Sequence, residues 1–263
     1  MKNENNNPID ISQSQREDNL FLFSLHHRYF KDMRTIGLIG GLSWQSTQTY
    51  YHTINTEINA RLGKNHSASI LMYSFDFEEI EILQNNSDWN RLNDLMADAG
   101  QRLFDAGADC LLICSNTMHE CAGHIENQVN IPLIHIADAV GDFLLQGNLL
   151  NAGLLGTKFL MHSNTYTDRL KNKFGITTYL PDEDKIEVLN QIIYNELVKG
   201  IFNHDSRNTI LSIIQDMQAE GIEAIILGCT EIPLIIKQDH CDIPVIDTTN
   251  IHAKSAVNFV LEA

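Results

Sequence analysis

The feature that most constrains this chain is a segment written twice. Residues 111–119 read LLICSNTMH, and residues 225–233 read IILGCTEIP. Each is an apolar run that stops at a small hydroxyl or thiol residue, Ser115 in the first copy and Cys229 in the second. Each follows a helical pattern closed by a glycine. Between Asp88 and Ala106 the residues Leu92, Leu95, Met96, Ala99, Leu103 and Phe104 fall at helical spacing, and Gly107 ends the run. From Asp205 to Glu220 the pattern returns with Ile210, Ile213, Ile214 and Met217, an Asp205/Ser206 cap and Gly221 as the stop. Ser115 lies eight residues past Gly107 and Cys229 eight past Gly221, so the two occupy equivalent positions.

The duplication extends further. TIGLIGG (35–41) reads as a buried parallel strand entering a tight turn, NAGLLGT (151–157) repeats it, and IPLIHIADA (131–139) is answered by IPVIDTTNI (243–251). Alternating strands and helices predict an α/β fold of two similar parallel-sheet units. Ligands bind such units beyond the carboxyl ends of the strands. If the halves face each other about a pseudo-twofold, Ser115 and Cys229 approach one ligand from opposite sides. The expected division is a first domain of residues 34–140 plus 248–263, a second of 141–247, and an active site in the cleft between them.

Composition excludes several roles. Lys and Arg total 18 against 34 Asp and Glu, a formal charge of −16, which argues against nucleic acid or an anionic membrane surface as a partner. Five cysteines form an odd, unpatterned set in a chain of 263 residues, so no disulfides and a reducing, cytoplasmic setting are expected. Residues 1–19 are polar and Asn-rich, a composition that predicts disorder. The following LFLFSLHH is too short to span a membrane and lacks the flanks of a signal peptide, so residues 1–33 are read as a disordered or surface extension. Met33, directly before the first strand, is a candidate alternative start.

Two proton-transfer groups on opposite faces of one carbon can invert its configuration: one removes a proton and the other returns it. A thiol suits the task, because a helix N-terminus can lower its pKa toward neutrality, and both Ser115 and Cys229 are expected at strand-to-helix junctions. Asn116, Thr117 and Thr230, with the backbone N–H groups of those junctions, form a candidate carboxylate site.

The motifs IGLIGGLSWQST, CSNTMH, HIADA, LLGT and LGCTEI together resemble those of the aspartate/glutamate racemase family, from about Met33 to the C-terminus. That resemblance implies two pseudo-symmetric α/β domains, an active site between them, no cofactor and a homodimer. The family's two catalytic positions, each usually Cys, fall on Ser115 and Cys229. Cys114 neighbours the first, but period two along a strand turns its side chain away from the face Ser115 presents. A hydroxyl at this position resembles the broad-specificity branch acting on L-aspartate and L-glutamate. This implies Cys229 as the base on the L side and Ser115 as the proton donor on the opposite face. The branch also implies a substrate-side amide at Gln84, expected on a loop, and a lysine for the distal carboxylate, for which the segment PDEDKIEVL offers Lys185 slightly out of register.

Other residues join these candidates. Leu42, Ser43 and Trp44, after the GLIGG turn, are expected to wall a small ligand. Glu231 and His252 fall near the cleft, either to polarise Cys229 or to serve structure. His119, His124, Cys114 and Cys121 fit no familiar zinc spacing, and residues 117–127 read as helix, so no metal is expected. Related folds also racemise hydantoins, isomerise maleate or decarboxylate arylmalonates, and a two-lobed amino-acid sensor is the alternative outside enzymes. A sensor has no need of the thiol at Cys229.

Overall fold

Both apolar runs of the repeated segment become fully buried strands of parallel sheets. A computed structural model of the chain describes residues 33–262; the expectations for residues 1–32 lie outside the described residues. The first half runs β1 (Ile36–Gly40), α1 (Trp44–Leu62), β2 (Ile70–Ser74), α2 (Phe77–Asn85), α3 (Trp89–Asp105), β3 (Cys110–Ile113), a 3-10 turn (Thr117–Cys121), α4 (Ala122–Gln128) and α5 (Ile136–Gln146). The second runs β4 (Asn151–Leu155), α6 (Lys158–His162), α7 (Asn164–Phe174), β5 (Thr177–Tyr179), α8 (Glu183–Asn195), α9 (His204–Ala219), β6 (Ala224–Leu227), β7 (Val245–Asp247) and α10 (Thr248–Leu261).

One sheet has the order β2-β1-β3 and the other β5-β4-β6-β7, and every pairing is parallel. Leu38 and Ile39 face Leu112 and Ile113, as Leu154 and Leu155 face Ile226 and Leu227. The repeat is visible bond by bond. Gly107 and Gly221 both adopt φ +99°. Cys114 N–H donates to the Ile39 carbonyl at 2.9 Å, and Gly228 N–H to that of Leu155 at 2.6 Å. Asp109 accepts from Thr35 N–H, and Glu223, its equivalent, from Leu150 and Asn151 N–H. The halves differ at the edge, where Leu133 touches Leu111 through a single parallel bridge while β7 forms a full strand.

Helical spacing translates into burial as expected. α3 buries Leu92, Met96, Ala99 and Leu103, with Leu95 and Phe104 only partly covered, and α9 buries Ile210, Ile213, Ile214 and Met217. Each such aliphatic side chain contributes about 1.5–3 kcal/mol on leaving water. The α9 cap is Asn203, whose side chain accepts from Asp205 N–H at 3.0 Å, two residues ahead of the predicted Asp205/Ser206 pair. Between β1 and α1 the chain turns at Gly41, φ +71°, where a Cβ would lie 2.2 Å from the Phe75 carbonyl oxygen. Only glycine fits there. α10, from the far end of the chain, packs on α1 and α5.

A buried cluster of histidines seats the turn that follows β3. His119 donates from Nδ1 to the Ser115 carbonyl at 2.6 Å and accepts at Nε2 from Ile136 N–H at 3.1 Å. His252 donates from Nε2 to the Ile134 carbonyl and accepts at Nδ1 from the Tyr50 hydroxyl, both at 2.7 Å. His135 accepts at Nδ1 from Ala137 N–H, and its ring centroid lies 4.7 Å from that of His119 with the planes tilted by 60°. These partners require neutral imidazoles. Burial pushes His119 well below its ordinary pKa, His135 down to about 3 and His252 down to about 4. Protons therefore bind the unfolded chain first as pH falls below 6.5, so the stability these groups contribute is complete above that value and is lost toward pH 4. Denaturant midpoints measured at pH 7 and pH 5 should show a loss on the order of 1 kcal/mol per pH unit for each histidine. A stability unchanged between those values would refute the neutral cluster.

Candidate active site

The structure brings the two repeat-equivalent residues to one cavity. β3 and β6 each end two residues before the site residue, Ser115 in one case and Cys229 in the other, and both side chains line a chamber of about 50 Å3. Leu42, Ser43, Gln84, Asn116, Thr117, Thr230 and Glu231 complete much of its wall. A wider cavity of about 880 Å3 adjoins it, sharing the walls formed by Asn116, Thr117 and Tyr194. The small chamber is the chemically significant one, since Ser115 and Cys229 line it and neither lines the larger space.

Hydrogen bonds between the halves set the wall. Ser43 caps α1 by accepting from Ser46 N–H at 3.2 Å, and its hydroxyl donates to Glu231 Oε1 at 2.8 Å. Its φ of +63° is a strained conformation for a residue with a side chain, and such strain costs about 1–3 kcal/mol. The cap and the Glu231 bond hold it in place. Asn116 donates to Thr248 Oγ1 at 3.0 Å, and the Thr248 hydroxyl in turn reaches the Leu227 carbonyl at 2.9 Å, so one side chain ties the ends of β3 and β6 together. The hydroxyls of Thr117 and Thr157 meet at 3.0 Å across the same gap.

Glu231 is the electrostatic centre. It is only 5% exposed, and its carboxylate accepts from the Ser43 hydroxyl, from the Cys229 thiol at 3.1 Å and from the Thr230 hydroxyl at 2.7 Å. Here the expectation of an acidified thiol needs correcting. Burial, reinforced by the Glu231 negative charge, pushes the Cys229 thiol well above its ordinary pKa, and the backbone N–H groups of Glu231 and Ile232 offset this only in part. The element after Cys229 is a three-residue 3-10 turn, Ile232–Leu234, too short to present a helix dipole. Cys229 thus rests as a thiol pointing its proton at a carboxylate. On the other side, Ser115 Oγ accepts from Met118 N–H at 3.4 Å.

Other sequence candidates are placed elsewhere. Lys185 does not reach the chamber: its ammonium lies 3.0 Å from Asp216 and 3.4 Å from Asp182, in a groove between α8 and α9. Trp44 is 65% exposed at the start of α1 and takes no part in the wall. Gln84 does line the chamber, from the last turn of α2 instead of a loop, with its amide 3.0 Å from Met118 Sδ. Cys114 is fully buried, as strand alternation requires, and burial raises its pKa far above the ordinary thiol range. Among the described residues no three His, Cys, Asp or Glu side chains form a group that could hold a metal. Tyr194 and Thr157, which also line the chamber, were missed. Thr157 had a signal, since it is the repeat counterpart of Gly41; Tyr194, within the apolar stretch QIIYN, had none.

The family model described as Asp/Glu/Hydantoin racemase matches residues 39–256. The crystal structure of an Asp/Glu-racemase-type protein from Yersinia pestis superposes with a TM-score of 0.83 at 44% identity, covering 87% of this chain and 100% of the other. That of an aspartate racemase homologue from Pyrococcus horikoshii OT3 gives a TM-score of 0.76 at 32% identity, with the same 87% and 100% coverage. The broad specificity amino-acid racemase RacX of Bacillus subtilis (strain 168) is 22% identical over 174 residues, 66% of this chain and 74% of that protein.

The Cys229–Glu231 contact is testable directly. Glu231→Gln removes the charge that raises the thiol, so the midpoint of Cys229 alkylation against pH should move down, by about 1 pH unit. An unmoved midpoint would show that Glu231 does not control the thiol.

Proposed function

The chain belongs to the Asp/Glu/hydantoin racemase family, and on that premise we propose that it is a cofactor-independent amino-acid racemase acting on L-aspartate and L-glutamate. The observation that carries this reading is that Ser115 and Cys229, equivalent in the repeat, line a single chamber at the ends of β3 and β6. The two lobes, residues 34–140 with 248–263 and residues 141–247, supply one group each.

In the forward direction the Cys229 thiol passes its proton to Glu231, 3.1 Å away, and the thiolate removes the substrate α-proton. The electron pair left on the α-carbon delocalises into the carboxylate, which hydroxyls and N–H groups at Asn116, Thr117 and Thr230 hold. The Ser115 hydroxyl returns a proton to the opposite face and is reprotonated from solvent, while Glu231 releases to solvent the proton it took from Cys229, which closes the cycle. Desolvation makes the Cys229 thiolate costly at rest, so its formation is coupled to arrival of the substrate's positive ammonium group. The relatives named as an aspartate racemase homologue and a broad specificity racemase support the substrate class and the branch. As part of the same reading the enzyme works as a homodimer in the reducing cytosol, which the odd set of five cysteines suits. No helix among the described residues is long and apolar enough to cross a membrane.

Three outcomes test this. Cys229→Ala should lower exchange of the substrate α-proton with solvent deuterium by about 10²–10⁴-fold, and retained exchange would remove Cys229 from the role of base. Ser115→Cys should accelerate the D-to-L direction relative to L-to-D; an unchanged ratio counts against a hydroxyl-limited face. Because the Cys229 thiol titrates above its ordinary range, wild-type exchange should keep rising as pH increases from 7 to 9, and a plateau at neutral pH would contradict it.

A further inference from the structure

An acidic substrate presents a second carboxylate, and the chamber that holds Ser115 and Cys229 has no lysine or arginine among its described wall residues. The wider cavity that adjoins it is where a side chain on the reacting carbon must extend. Its wall carries Glu81, Glu120 and Asp168, and a single lysine or arginine among the described residues, Lys158. Lys158 is well placed for this. It directly follows Thr157, itself part of the inner wall, and its backbone N–H is anchored on Asn190 Oδ1 at 2.9 Å. Its ammonium rests on Glu187 at 2.9 Å and on Glu183 at 3.5 Å, with the lysine side chain 40% exposed.

An ion pair as exposed as this adds little to stability, and a lysine ammonium on a flexible four-carbon stem can change partners without backbone movement. A carboxylate entering the cavity offers what Glu187 offers. It does so beside walls that otherwise repel it, so one cation decides whether acidic side chains are accepted.

We propose that Lys158 is the residue that recognises the substrate's distal carboxylate, exchanging Glu187 for it on binding. The assignment rests on the racemase reading above and deepens it. It replaces Lys185, whose ammonium is held by Asp216 and Asp182 in a separate groove.

The test is α-proton exchange followed by NMR in deuterated buffer with L-aspartate and L-glutamate and their uncharged amides, L-asparagine and L-glutamine. Lys158→Met should raise KM for the two acids about tenfold or more while leaving KM for the amides within about twofold. Lys158→Arg should keep the preference for acids, and Glu187→Gln, which frees the ammonium, should lower KM for acids alone. A loss shared equally by acids and amides, with Lys158→Arg no better than Lys158→Met, overturns the assignment, as does an unchanged KM for acids in Lys158→Met. Wild-type exchange with the amides but not the acids also overturns it, together with the acidic substrate class of the racemase reading, while the proton-transfer roles of Cys229 and Ser115 stand. Wild-type exchange with none of the four overturns that reading and this assignment together.

Discussion

Parallel strand pairing in a shared register is the constraint on which the rest of this structure depends. β3 and β6 each run level with the neighbouring strand to the same point, so the residue just past each end leaves the sheet at the same edge. Beyond that edge the backbone N–H groups have no sheet partner and are free to meet side chains or a ligand. Ser115 and Cys229 inherit their position from this geometry. The bonds that join the halves, Asn116 to Thr248 to the Leu227 carbonyl and Thr117 to Thr157, lie at the same level.

A buried carboxylate then decides the chemistry. Glu231 is out of water, and the Ser43 and Thr230 hydroxyls and the Cys229 thiol all donate to its carboxylate. The same charge that gives Cys229 a proton acceptor also disfavours the Cys229 anion at rest. In the proposed mechanism, keeping Cys229 as a hydrogen-bonded thiol protects it in the absence of substrate, because the thiolate is the reactive form. Ser43 pays part of the cost of this arrangement in backbone strain, and its bond to Glu231 links the turn after β1 to the loop after β6.

Much of this was legible beforehand because it is local. Helix-stopping glycines at 107 and 221 need a positive φ whatever surrounds them, and both adopt it. Amphipathic spacing in α3 and α9 named the buried residues, since burial follows from periodicity on one face. The caps and edges were less legible: Asn203 displaced Asp205 because an N-cap is set by where the chain enters the helix, and Gln84 lay in helix because Asp76 caps α2 early. Lys185 was the nearest lysine in its segment, but α8 turns it toward Asp216 on α9, a neighbour that sequence spacing does not reveal.

What the sequence by itself determined was the duplicated α/β plan and the equivalence of Ser115 and Cys229, since repeats, periodicity and glycine stops are properties of order along the chain. The tertiary structure alone decided the protonation of the site and the company of its charges. A thiol's pKa depends on its burial and on Glu231 at 3.1 Å, and three histidines are neutral because packing removes water from all of them at once. Desolvation and through-space charge act between residues that the chain's order leaves far apart. They come into being only when the two halves close on each other.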